Sequence, residues 1–287
     1  MNLLRAIRVE QWIKNLLIFS PAITANVLNK NLVIELFFVF LGFSLVVSST
    51  YILNDLVDLE ADRNHPIKKL RPIASGYLNI KSWILISIAL FSCGIMLIYI
   101  FQKNAILLTS IYCLLTISYS FKLKYIKYLD ITLISFLFTL RVLIGGIPFE
   151  IPLSKELVVF VFFTCLGIIT GKKYSILKNK DLQNSKIKNF LLEKYRTKSL
   201  ESVFYVSFII SSITYIYWIF NTKYFEINEF ELIALLCSAI LLIYIKYFFI
   251  SKTLLHETED IFHTIKNSKN IMFTISTFVV LVMYGVL

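Results

Sequence analysis

The chain reads as an all-α, polytopic membrane protein, and three observations lead there. Of its 287 residues 57% are hydrophobic and the mean hydropathy is +0.75, too apolar for a soluble domain of this length. Apolar runs of about 17 to 22 residues recur along the chain, each able to cross roughly 30 Å of hydrocarbon as a helix whose backbone polar groups pair within the segment. Basic residues, finally, crowd alternate loops, as the positive-inside bias demands.

Nine runs meet the length: 14–29, 31–53, 81–101, 104–121, 130–148, 155–173, 200–221, 228–250 and 270–287. The first is preceded by an amphipathic N-terminus without a small-residue cleavage site, so no cleavable leader is expected. No soluble domain, long linker, low-complexity tract or internal repeat interrupts the runs, and residues 1–287 are expected to form one integral membrane domain. With the N-terminus on one side, that side holds Arg5, Arg8 and Lys14, then Arg63 to Lys81, then Lys122, Lys124 and Lys127. The cluster from Lys172 to Lys198 follows, and then Lys252, Lys266 and Lys269. The opposite loops carry Lys30, Lys103, Lys155 and Lys223. This places the N-terminus in the cytosol and the C-terminus outside, in a bacterial-type inner membrane. A miscounted span would scramble the alternation.

Most of the net charge of +11 is explained by that topology and by attraction to anionic lipid, leaving a remainder for phosphate. Short basic loops without interleaved aromatic platforms argue against nucleic acid. Cys93, Cys113, Cys165 and Cys237 lie separately in apolar runs, so they form neither a disulfide framework nor a thiolate metal site.

The second run leads into Asn54-Asp55-Leu56-Val57-Asp58, then Asp62 and Arg63. At about 100° per residue, Asn54, Asp58 and Asp62 stack on one helical face with Asp55 at its edge. These are hard oxygen ligands of the kind Mg²⁺ takes when a substrate diphosphate completes its shell. Arg63, His65, Lys68, Lys69 and Arg71 follow at once and suit phosphate oxygens. The stretch predicts a metal–diphosphate site at a membrane surface.

Three further stretches join it. Tyr119, Lys122 and Lys124 precede Asp130, which opens a run, and Arg141 lies eleven residues deeper, where it needs an anionic partner from the protein or a ligand. The N-terminus contributes Arg8, Gln11, Trp12, Lys14 and Asn15: Trp12 suits an interfacial anchor, and Lys14 and Asn15 can face the same cavity. Gly171, Lys172 and Lys173 end the sixth run, with Tyr195 beyond. His256, Asp260 and His263 share a helical face, but they read as a solvated loop rather than a metal triad. Nucleophile triads find no support.

These residues resemble the UbiA superfamily of intramembrane prenyltransferases. Asn54, Asp55, Asp58 and Asp62 match its Asn-Asp-x-x-Asp-x-x-x-Asp motif, and the similarity runs from near residue 5 to about 270. It is greatest to the branch that includes decaprenyl-phosphate phosphoribosyltransferase. Arg8-Val9-Glu10-Gln11-Trp12-Ile13-Lys14-Asn15, the stretch Asp62 to Gly76, and Tyr119, Ser120, Leu123, Lys124, Asp130, Arg141, Gly145 and Gly146 all follow that branch. The resemblance implies nine transmembrane helices around a central cavity open to the cytosol and laterally to lipid. It also implies Mg²⁺ and diphosphate on Asp55, Asp58 and Asp62, with Asn54 orienting. Three positions depart: Val9 replaces a proline, Ile176 a glutamate, and Glu259-Asp260-Ile261 lacks an Asp-Pro.

Prenyl transfer to an aromatic acceptor would call for a second Asp-x-x-x-Asp pair. Asp130 instead has Ile126 and Ile134 four residues to either side, and the neighbouring charges are Lys122, Lys124 and Arg141. An anionic acceptor is therefore expected: phosphoribosyl passes from 5-phosphoribosyl 1-diphosphate to a polyprenyl phosphate for cell-envelope glycan synthesis. The alternatives are prenyl transfer to a small acceptor and a transporter or structural membrane protein. Self-association is left open.

Overall fold

In the computed structural model, which describes residues 2–64, 68–179, 186–221, 228–254 and 268–286, every regular element is helical. In chain order they are α1 (Asn2–Ile7), a 3-10 segment (Val9–Phe19), α2 (Ser20–Thr24), α3 (Lys30–Val57), α4 (Leu59–Arg63), α5 (Ile80–Gln102) and α6 (Ala105–Phe121). Then come α7 (Leu129–Gly146), α8 (Lys155–Lys178), α9 (Lys186–Lys194), α10 (Thr197–Asn221), α11 (Glu229–Leu254) and α12 (Lys269–Tyr284). Their starts are legible in sequence. The side chains of Asn29, Asn79 and Ser154 accept from the backbone N–H three residues on, at 3.0, 2.7 and 3.1 Å, capping α3, α5 and α8.

Among the described residues six helices are long and apolar enough to cross a membrane: α3, α5, α7 with the turn after it, α8, α10 and α11. The apolar helices α6 and α12 are shorter. These eight coincide with eight of the nine predicted runs. Residues 14–29 are different, so a count of nine membrane helices is not what the described residues display. There the 3-10 segment Val9–Phe19 gives way to the short α2. Pro21, which lacks an N–H and cannot continue a helix from upstream, sits in the first turn of α2. Arg8 precedes the 3-10 segment in the left-handed region (φ 56°), a conformation that costs a non-glycine residue energy.

The chain divides into two compact units, residues Met1–Ala22, Val27–Tyr125 and Leu140–Leu153 in the first, and Ile23–Asn26, Ile126–Thr139 and Ser154–Leu287 in the second. In the first, α3 packs along α5 where Gly42 and Gly94 face each other; a Cβ on Gly94 would lie 2.5 Å from the Gly42 carbonyl oxygen. Small residues at such a crossing let the backbones approach, the usual source of helix association in lipid. Ala6, Ile52, Ile73 and Trp83 fill the layer beside it. In the second unit α8 packs on α10, and α11 on α12. Tyr174, Leu177, Tyr195 and Leu200 form one core there and Tyr215, Trp218 and Leu235 another.

Candidate active site

The aspartate motif occupies the end of α3 and the whole of α4. The α-helix stops at Val57, and Asp58 caps it with φ −88° and ψ 9°. Backbone bonds still run from Asp58 N–H to Asn54 and from Asp62 N–H to Asp58, at 3.0 and 2.8 Å. Asp55 and Asp62, 4% and 2% exposed, converge on Arg71, whose Nη1 donates to Asp55 Oδ1 at 3.2 Å and to Asp62 Oδ2 at 2.7 Å. Arg8 donates to the same Asp55 oxygen at 2.5 Å and lies over the Tyr51 ring. Asp58 stands apart on Lys124, 3.2 Å from its Nζ, in a partly exposed pair. Asn54 turns toward a cleft between α3, α5 and α6. The expected stripe of Asn54, Asp58 and Asp62 is thus regrouped: Asp55 and Asp62, seven residues apart and so on one helical face, share Arg71, while Asp58 pairs with Lys124.

Around this centre, Arg63 Nε donates to the Ala74 carbonyl at 3.4 Å, which ties the basic loop back on itself. Lys69 and Lys122 are exposed, and Tyr119 is half-buried. His65, the Lys68 side chain and the triad His256, Asp260 and His263 lie outside the described residues.

Arg141, 3% exposed, sits deeper in the same unit. Its Nε donates to Asn15 Oδ1 at 2.9 Å and its Nη2 to the Tyr112 hydroxyl at 2.7 Å, while its guanidinium lies over the Phe43 and Tyr112 rings. Asn15 in turn donates to Ser44 Oγ at 2.9 Å. The arginine therefore locks the 3-10 segment to α3, α6 and α7. Gly145 assists, since a Cβ there would overlap the Ile18 carbonyl oxygen. Half-buried Lys14 stands beside this network, and Trp12, read from sequence as an interfacial anchor, donates instead to Ser48 Oγ at 3.0 Å.

In the second unit Asp130, 1% exposed, gathers Lys173 at 2.6 Å, Lys194 at 2.8 Å and the Tyr195 hydroxyl. One carboxylate thus faces two ammonium groups. Lys172 next to it is exposed. Sequence reasoning put Asp130 and Lys173 in the site but missed Lys194. In a loop crowded with topogenic lysines, nothing in its spacing set it apart. Arg8 carried a signal, its place in the N-terminal motif, but nothing in sequence pointed it at Asp55. Lys246 was missed too: in mid-helix it donates to Ser211 Oγ, Ser212 Oγ and the Phe208 carbonyl at 2.7, 2.9 and 3.2 Å, pinning α11 to α10. Three neutral acceptors satisfy its three donors.

Comparison with known proteins bears on this geometry. An uncharacterised protein of Sinorhizobium fredii, y4nM, is 39% identical over 60% of the chain, an alignment that spans 33% of that relative. A decaprenyl-phosphate phosphoribosyltransferase of Mycolicibacterium smegmatis is 31% identical over 77% of the chain and 70% of its own length. The fold is that of a UbiA homologue of Archaeoglobus fulgidus solved with GPP and Mg²⁺, with a TM-score of 0.64 at 16% identity over 99% of this chain and 98% of that one. The model of the UbiA prenyltransferase family matches residues 18–267. The chain is a multi-pass membrane enzyme belonging to the UbiA prenyltransferase family.

Proposed function

We propose that the enzyme transfers phosphoribosyl from 5-phosphoribosyl 1-diphosphate to a polyprenyl phosphate, releasing diphosphate and forming polyprenyl-phosphoryl-5-phosphoribose for cell-envelope glycan synthesis. The observation that carries the reading is the alternation of carboxylate and cation around the aspartate motif: Arg8, Asp55, Arg71 and Asp62 in one chain of contacts, with Asp58 and Lys124 beside it. Such a set serves two phosphorylated substrates. The relatives named phosphoribosyltransferases support it.

Mg²⁺ fits the donors present. Asp55 and Asp62 present oxygens to one point, now spanned by Arg71, and Mg²⁺ is held by one or two carboxylates together with substrate phosphates. Asp55 and Asp62 would hold it, with Asp58 and Asn54 adjoining. When bound, it offsets the charge that grows on the departing diphosphate.

The remaining work falls to the protein. Arg71 and Arg63 receive the diphosphate and 5-phosphate oxygens, with His65 and Lys68 from the same loop. Lys124 and Lys122 hold the lipid phosphate, with Lys14, Lys172 and Lys173 as further phosphate contacts. Tyr119 lines the approach. A phosphate oxygen of the lipid bonds to ribose C1 as the C1–O bond to diphosphate breaks. That oxygen is already anionic at neutral pH, so no general base is demanded and rate comes from positioning and electrostatics. Asp130 acts at one remove by holding Lys173, and Arg141 by holding Asn15. Residues 1–287 act as one transferase domain in the inner membrane, with the motif on the cytosolic side.

A second reading, prenyl transfer to a small acceptor, is favoured by the fold neighbour solved with GPP and Mg²⁺. Against it stands Asp130, whose oxygens are engaged by two lysines and a tyrosine instead of pairing with another carboxylate. The test is to incubate purified protein with Mg²⁺, 5-phosphoribosyl 1-diphosphate and a short polyprenyl phosphate, and weigh the lipid. A gain of one phosphoribosyl unit, lost in Asp58→Ala, supports the first reading. Prenyl diphosphate consumed in a parallel tube, with no gain, supports the second.

A further inference from the structure

A single nitrogen of Arg71 occupies the point to which Asp55 and Asp62 present oxygens. Nη1 lies 3.2 Å from Asp55 Oδ1 and 2.7 Å from Asp62 Oδ2, bridging two buried carboxylates. Mg²⁺ holds its oxygen ligands at about 2.0–2.1 Å, closer than either contact. An ion and this guanidinium therefore cannot share the place. The backbone of Arg71 is fixed. Its carbonyl accepts from Ser75 N–H at 2.8 Å, the Pro72 carbonyl accepts from Tyr77 N–H at 3.2 Å, and Ile73 and Ala74 in the same turn are buried. The Arg71 side chain, by contrast, is a third exposed, so it can swing out while the turn stays. Arg8, 2.5 Å from the same Asp55 oxygen, keeps that carboxylate aimed meanwhile.

Charge decides what draws the arginine away. A bare divalent ion would send the guanidinium from two carboxylates into water. A metal–diphosphate complex brings phosphate oxygens with it, and the planar fork exchanges its carboxylates for those. We infer that Arg71 is a stand-in cation: it closes Asp55 and Asp62 to free divalent metal and gives up the place when the metal arrives with a diphosphate. Metal and diphosphate then bind with positive coupling, each raising the affinity for the other by the same factor. Between turnovers the same side chain shields the two buried carboxylates from each other. The inference rests on the reading of Asp55 and Asp62 as metal holders and is independent of which acceptor the enzyme uses.

The test needs neither acceptor nor turnover. Mn²⁺ affinity is measured by EPR in detergent, without phosphate, for the wild type, Arg71→Gln and Arg63→Gln. Arg63 donates to the Ala74 carbonyl, so its variant removes a charge beside the motif and leaves Arg71 in place. Arg71→Gln should bind Mn²⁺ about tenfold more tightly than the wild type, with Arg63→Gln close to the wild type. No gain in Arg71→Gln overturns the inference, and so does an equal gain in Arg63→Gln, which traces to net charge alone. Melting of the wild-type protein supplies a measurement free of any variant. Mn²⁺ and inorganic diphosphate together should raise Tm by more than their separate rises combined, and simple additivity overturns the inference. Mn²⁺ bound by none of the three proteins, with no rise from the pair, removes the metal site itself and the reading beneath the inference.

Discussion

Replacing Arg71 by alanine leaves Asp62 without the guanidinium it shares with Asp55, and both carboxylates are nearly fully buried. Buried charges that lose a partner destabilise, although Arg71 is itself a third exposed. We expect a loss of about 1–3 kcal/mol, read as a lower unfolding temperature in detergent. Arg71→Lys should not restore it, because a point ammonium cannot reproduce the planar fork between two carboxylates. Lys124→Ala should separate stability from activity. Its pair with Asp58 is exposed enough to be worth about 0–1 kcal/mol, whereas kcat/KM should fall about 100-fold if Lys124 holds the lipid phosphate. Asp130→Asn leaves Lys173 and Lys194 facing each other in a buried site, at a cost of about 3–5 kcal/mol. Lys194→Met added to it should recover part of that loss, a non-additivity readable from the two melting curves. At this scale sequence named most participants but not their pairings. Asp55, Asp58 and Asp62 were recognisable as ligands from spacing and residue type. That Arg8 meets Asp55, across 47 residues of chain, was not.

The helices were legible wherever a long apolar run met a capping residue, as with Asn29 before α3 and Ser154 before α8. Lipid makes this signal strong, since an unpaired backbone has no water to fall back on. The first run broke the pattern. Composition alone could not see that Pro21 interrupts it, or that Asn15 and Trp12 spend their polar groups on Arg141, Ser44 and Ser48. The tightest helix pair supplies a test. Gly94→Leu would press a side chain into the Gly42 carbonyl and force α3 from α5, so thermal stability in detergent should drop by about 1–3 kcal/mol. The end of α3 should move with it, so donor affinity should fall in the same variant.

For the whole molecule, the loop charges imply an orientation that can be measured. With the four native cysteines replaced by serine, a cysteine at Tyr77 should react with an impermeant maleimide from the cytosolic side, and one at Glu150 from the opposite side. Labelling of both from one side would reverse the assignment. Chelation of Mg²⁺ should abolish turnover, and excess metal should restore it. Hydropathy, charge alternation and a ligand-rich motif determined by themselves that this is a helical membrane protein with an acidic motif at a helix end, because each is a local property of residue type and period. The tertiary structure alone decided which cation meets which carboxylate, that Asp58 pairs apart from Asp55 and Asp62, and that Asn54 lines a cleft between α3, α5 and α6. Those depend on contacts between segments far apart in the chain, and no local pattern encodes such distances.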